Sequence, residues 1–456
     1  MAELWTKERV LSLAPDASSA AAGRGQAAPG KWPSLGRAGE VLWGECQGSG
    51  KTPYQVRVDL REPAYKCSCP SRKFPCKHSL GLMLLFAEHP KSLPETALAD
   101  WVNEWLESRE KRAEQREKKA TTEAAKPVDA AAQAKRSAQR EAKIQAGVED
   151  LGRLLSDVLR QGLAAAQTQR TQYWQDVAAR LVDAQAPGLA RLVGELGQTV
   201  GSGDQWRSRF LRRLARIHLA AQGYARLADL PSETQADLRT VIGWTQSREE
   251  LLAVDAASGQ WLIVASAVST EDRVTAQRTW LLREQDGLPA LVLSFAAGGQ
   301  PLDTSLMVGT AIDAELVFYP SATPLRAIVK QRSGSPLLFQ EFTGSPTIDA
   351  ALDAFSLALA NNPWIERWPM ALANVAPIAP SKLGVGWRLC DSSGGQLPLD
   401  PQFTEAWTLL SISGGQPITV FGEWDGEQLT PMSVSARGVF YSCSRRSDRT
   451  LLARVS

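Results

Sequence analysis

The chain has 456 residues, room for roughly two to four domains with separate cores. Its 51 Lys and Arg nearly balance 49 Asp and Glu, leaving a net charge of +2, so no whole-molecule field drives it to nucleic acid or to an anionic membrane. Residues 1–10 carry Glu3 and Glu8 without the apolar stretch of a secretory signal, and the longest apolar run, Leu80 to Ala87, falls far short of the roughly 18 residues of a membrane span. The expectation is a soluble cytoplasmic protein with no membrane partner.

Taken in chain order, residues 1–37 are rich in Ala, Gly, Ser and Pro, as in Ser18-Ser19-Ala20-Ala21-Ala22-Gly23, and read as an irregular N-terminal arm in which Trp5 and Trp32 anchor some part to a core. Residues 38–90 form a compact module. Val41 to Gln47 is one strand, Gly48-Ser49-Gly50 a turn, and Tyr54 to Leu60 the returning strand. Tyr54, Val56, Val58 and Leu60 alternate with Gln55, Arg57 and Asp59, so one face is buried. The run Leu80 to Phe86 is a short helix ending near Pro90.

Residues 91–146 read as a helical charged linker. Trp101 and Trp105 are one helical turn apart, and Glu107 to Lys143 is mixed in charge and poor in apolar residues. Residues 147–230 form a helical domain. Val148, Leu151, Leu155, Val158 and Leu159 recur at helical spacing, as do Trp174, Val177 and Leu181, then Phe210, Leu214 and Ile217. Joints are expected near Pro187-Gly188 and Gly201-Ser202-Gly203. Residues 231–456 change period. Trp261–Val268, Leu291–Phe295, Ala314–Tyr319, Leu325–Val329 and Ile418–Trp424 are strand-like, and Ile348–Ala360 is a helical insert. The fold class is α+β and multidomain: an N-terminal ββα unit, a helical middle and a β-rich C-terminal region.

Six cysteines are present, and without export signals clustered thiols point to metal before disulfides. Cys67-Ser68-Cys69 and Cys76-Lys77-His78 supply three thiols and an imidazole as two tight pairs bracketed by Pro70 and Pro75. Structural zinc takes four such ligands in a closed tetrahedron, and four protein ligands leave no position for a reactive water. One structural Zn2+ on Cys67, Cys69, Cys76 and His78 follows. Cys46, Cys390 and Cys443 are dispersed and read as ordinary thiols.

Cys-x-Cys-x(6)-Cys-x-His after two strands and before a helix resembles the SWIM zinc finger. Leu13-Ala14-Pro15-Asp16, Trp43 to Gly50 and Cys67 to His78 resemble a bacterial SWIM group whose members are often encoded beside MoxR-type AAA ATPases and von Willebrand A-domain proteins. The resemblance spans roughly residues 10–90. It implies zinc binding, and a protein or DNA partner, with the ATPase or the von Willebrand A protein as the expected company.

Other motifs carry less. Gly44 to Thr52 looks like a phosphate-binding loop, but its first glycine is one residue early, and a strand follows where a helix is needed. Between residues 51 and 78, Lys51, Arg57, Arg61, Lys66, Arg72, Lys73 and Lys77 stand against Asp59 and Glu62. Such clustering suits phosphate contacts, yet it also offsets the negative charge of a three-thiolate zinc site. Lys66, Arg72, Lys73 and Lys77 are the candidate partner contacts. Arg209, Arg212, Arg213 and Arg216 share a helix face, solvated by default or a dock for an acidic partner. With His78 committed to metal, His89 and His218 are the remaining imidazoles, and neither has a nucleophile beside it. The expectation is a non-enzymatic zinc-finger adaptor, with a DNA-binding zinc-finger protein as the alternative.

Overall fold

The computed structural model describes residues 5–14, 17–48, 52–61, 64–71, 73, 75–109, 111, 130–203, 205–244, 246, 248–271, 274–297, 302–380, 386–446 and 449–455. In the N-terminal segment, where an irregular arm was expected, the chain folds into α1 (Lys7–Ser12) and the alanine-rich α2 (Ala17–Arg24). Thr6 caps α1 by accepting the Arg9 N–H at 3.3 Å. Gly23 lets α2 approach the next helix, because a Cβ there would lie 2.8 Å from Leu80 Cβ. Trp5 and Trp32 are buried, as their size demands.

The strands β1 (Ser34–Ala38), β2 (Val41–Cys46), β3 (Tyr54–Asp59) and β4 (Ala64–Cys67) pair antiparallel in sequence order. The middle two are those expected. The outer two are too short, and β1 too interrupted by Gly36, to show an alternating pattern of their own. On one face Leu42, Cys46, Val56 and Val58 pack against α3 (Lys77–Glu88), α1 and α2. The other face carries Val41 and Trp43 and is covered by α4, residues 100–109, through Val102 and Trp105. The Trp101 ring lies under the Arg57 guanidinium at 5.1 Å and meets Trp43 edge-on at 6.1 Å.

Helices α5 (Ala130–Thr168), α6 (Thr171–Asp183), α7 (Pro187–Thr199), α8 (Trp206–Ala225) and α9 (Ser232–Ile242) form the bundle. Gly162 breaks α5 at φ +81°. The periodic residues Leu151, Leu155, Trp174, Val177, Leu181, Phe210, Leu214 and Ile217 meet in one core, joined by Ile144, Leu238 and Ile242 from outside the predicted span. Leu159 departs from the expected face and is exposed.

After α10 (Arg248–Leu252), strands β5 (Ala257–Glu271), β6 (Val274–Arg283), β7 (Pro289–Ala297), β8 (Thr310–Phe318) and β9 (Arg326–Leu338) close into a barrel in the order β5-β6-β7-β9-β8. Its interior holds Trp261, Ile263, Leu281 and Leu316. Helix α11 (Ile348–Asn361) follows. Strands β10 (Trp368–Ile378), β11 (Arg388–Cys390) and β12 (Gln396–Pro398), helix α12 (Ala406–Ser413), and strands β13 (Ile418–Trp424), β14 (Leu429–Ala436), β15 (Val439–Arg446) and β16 (Arg449–Val455) complete the chain. These strands make a seven-stranded antiparallel sheet, β12-β11-β10-β13-β14-β15-β16. One sheet face takes α11 and α12, and the other packs on the barrel through Phe421, Met432 and Phe440 against Leu262, Val264 and Trp280. At that junction buried Glu423 accepts hydrogen bonds from Arg278 at 3.1 and 3.3 Å, Trp280 Nε1 at 2.9 Å and Arg367 at 2.9 Å.

Candidate metal centre

The site is assembled from a strand end and a helix start. Strand β4 delivers Cys67, and the turn beyond it brings Cys69 back, its N–H donating to Cys67 Sγ at 3.5 Å. Cys76 is the N-cap of α3, where its sulfur accepts the Ser79 N–H at 3.5 Å, a place usually held by Ser or Asp. Because Cys76 caps the helix, His78 falls in the first turn, buried, with Nδ1 3.7 Å from Cys67 Sγ. Tyr54, on the buried face of β3, packs its ring against the imidazole at a centroid distance of 4.9 Å and a tilt of 38°.

One donor atom from each of these four residues lies within 4.8 Å of the other three. Bonds of tetrahedral zinc to sulfur and nitrogen place neighbouring donors about 3.6–3.8 Å apart, so the set is already near coordination distance. The proton chemistry agrees. The hydrogen bond to Cys76 and burial push Cys67 up, and burial pushes Cys69 up, while accepting from Cys67 holds Cys76 down. Three thiols in this space resist becoming three thiolates unless a cation neutralises them. Zinc on Cys67, Cys69, Cys76 and His78 supplies that charge and cross-links β4 to α3 as a structural ion.

Sequence reasoning missed the roles of Tyr54 and Ser79, although the alternation had placed Tyr54 on the buried face. The Ser79 hydroxyl lies 3.4 Å from Cys76 Sγ. Cys46, at the end of β2 opposite Tyr54, is buried with its thiol on Gln26 Oε1 at 3.6 Å and is pushed up to about 11 by burial. Cys443 belongs to the core of the seven-stranded sheet, and the Cys390 thiol donates to the Asp391 carbonyl.

Of the basic residues around the site, Arg57 is buried with its guanidinium over the Trp101 ring. Arg61 is engaged by Asp59 through two contacts of 3.0 Å, and Arg109 takes the same carboxylate at 2.8 Å. Lys66 on β4, Lys73 in the knuckle and Lys77 at the first position of α3 are exposed. Arg72 lies outside the described residues, as do Lys51 and Glu62. Elsewhere, a groove of about 280 Å³ on the barrel is lined by Ser258, Gln260, Asp313, Glu315, Gln331 and Ser333.

A partly buried Cys3His cluster joining a strand to a helix N-terminus defines a zinc-finger protein of the structural type. Residues 54–86 match the SWIM zinc finger, and residues 139–242 match the SWIM-associated four-helix bundle domain, whose last matched residue is the last of α9. The chain therefore carries a SWIM finger, as the cysteine spacing led one to expect, and the bundle domain associated with it. No curated protein and no solved structure matches it. Among the described residues no helix is long and apolar enough to cross a membrane.

Proposed function

We propose that the protein is a non-catalytic adaptor whose zinc-stapled SWIM finger engages another protein through its knuckle. The observation that carries this reading is that both faces of the finger's sheet are already covered, one by α1 to α3 and the other by α4. What the finger presents is its metal-bound edge, where Lys66, Lys73 and Lys77 are exposed. Arg72 extends this basic stretch in the sequence. A cationic edge on a rigid support selects an acidic protein surface. By resemblance to the bacterial SWIM group, a MoxR-type AAA ATPase or a von Willebrand A-domain protein is the partner to test.

The DNA-binding reading uses the same side chains. The internal engagement of Arg57 and Arg61 removes two cations from the supply such a reading needs. Calorimetry of the zinc-loaded protein against these two partners, with duplex DNA as the parallel titrant, separates the readings. Binding to a partner that the Lys66→Glu, Lys73→Glu, Lys77→Glu triple variant loses supports the adaptor. Binding to DNA alone, weakening steeply with salt, overturns it.

A further inference from the structure

The arginine face of α8 is neither simply solvated nor fully paired. Arg212 reaches Glu427 at 2.7 Å, and Arg213 reaches the Glu195 carbonyl at 3.1 Å with the Glu195 carboxylate at 3.8 Å. Glu195 is also the partner of Arg191, one turn earlier on α7, and Arg191 in turn forks onto Glu366 at 3.0 and 3.4 Å. These contacts draw a chain of alternating charge where the bundle meets the segments before β10 and after β13. Trp364 lies beside it, its indole N–H donating to the Arg216 carbonyl at 3.3 Å.

The Arg216 guanidinium stands in this chain without a hydrogen bond or a direct ion pair among the described residues. Glu366 acts on it from a distance but already serves Arg191, while Arg191, Arg212 and Arg213 repel it. Among the described residues of this cluster four guanidinium groups meet three carboxylates, so one positive charge is left over, and it belongs to a half-buried side chain. Partial burial makes that charge costly unless a counter-charge arrives.

We propose that this arginine cluster is an oxyanion site for a phosphate group, with Arg216 as its principal donor and Arg212 and Arg213 as its flanks. Arg212 and Arg216 are i and i+4 on α8, and Arg213 and Arg216 are i and i+3, spacings that put all three side chains within reach of one small anion. The planar donor fork of arginine matches phosphate oxygens in pairs. Seated there, the anion satisfies Arg216 and braces the bundle against the C-terminal half. The site is separate from the zinc centre and independent of the adaptor reading.

The test is calorimetry of the full-length zinc-loaded protein with inorganic phosphate and with adenosine monophosphate, in chloride buffers of matched ionic strength. Saturable binding is expected, weakened at least about tenfold by Arg216→Gln. Glu366→Gln removes a competing carboxylate and is expected to tighten binding, a direction that a purely structural role for the cluster does not produce. Equal affinity for the two probes assigns the site to free phosphate, and tighter adenosine monophosphate assigns it to a phosphomonoester. Absence of saturable binding, or Arg216→Gln binding like the wild type with its circular dichroism unchanged, overturns the proposal.

Discussion

The zinc finger and the barrel-and-sheet unit solve the same problem, holding strands together, by opposite means. In the finger, β4 has four residues and pairs with β3, and among the described residues of the knuckle after it no strand or helix precedes α3. Little apolar surface is available at that edge, so the cross-link comes from side chains that converge on a metal. In the C-terminal half the barrel closes on its own backbone hydrogen bonds and buries an aromatic seam against the sheet. Its only deeply buried carboxylate at that seam among the described residues, Glu423, is matched by two arginines and an indole. Stability at one end is a property of ligand chemistry, and at the other of packing and matched charge.

Removing a ligand breaks the comparison most sharply. Cys76→Ser should abolish tight zinc binding and unfold the finger, because metal affinities of structural fingers are worth about 10–16 kcal/mol. Metal analysis with near-ultraviolet circular dichroism reads the result, with the tryptophans of the barrel keeping their signal. Retention of one tightly held zinc per chain contradicts the ligand set.

Glu423→Gln should act at the other end, leaving Arg278 beside an uncharged amide at a cost of about 3 kcal/mol, with zinc content unchanged. Denaturant unfolding of the zinc-loaded protein measures it. The same residue predicts a pH dependence. Burial pushes the Glu423 carboxyl up, but Arg278 and then Arg367 outweigh it and hold it below the ordinary glutamate range. A depressed folded value means the contribution is complete above the unfolded value of about 4.3 and is lost as pH falls through the folded one. The gap between wild type and Glu423→Gln should therefore begin to narrow below about pH 4.3 and close only below the folded value, and a gap that does not narrow in acid contradicts the assignment.

The smallest effect is expected for Arg61→Ala. Its side chain is about half exposed, and Arg109 still serves Asp59, so the loss should stay under about 1 kcal/mol. A larger drop in the finger's melting temperature would mean that this pair, and not zinc alone, sets the sheet edge.

Legibility from sequence followed the range of the interactions. The helices of the bundle were visible because Trp174, Val177 and Leu181, or Phe210, Leu214 and Ile217, report their own periodicity. Strands β2 and β3 were visible through Tyr54, Val56 and Val58. The strands β1 and β4 were not, since their residues adopt extended form only because β2 and β3 offer edges to pair with. Barrel closure depends on β7 meeting β9 in parallel and β5 meeting β8, contacts between segments tens of residues apart that leave no local pattern.

The four zinc ligands were determined by sequence alone, because two Cys and a Cys-x-His at fixed spacing carry their chemistry with them and need only a turn to meet. What surrounds them was decided by tertiary structure. Nothing in the local sequence shows that the Arg57 guanidinium lies over Trp101, or that Arg61 shares Asp59 with Arg109, so only the fold shows that these two cations are engaged inside the finger. The same is true of Arg216, whose charge is left over because Glu366, 150 positions away, is taken by Arg191. Charge is written in the residue, but whether it is spent or spare depends on which distant partners the fold brings within reach.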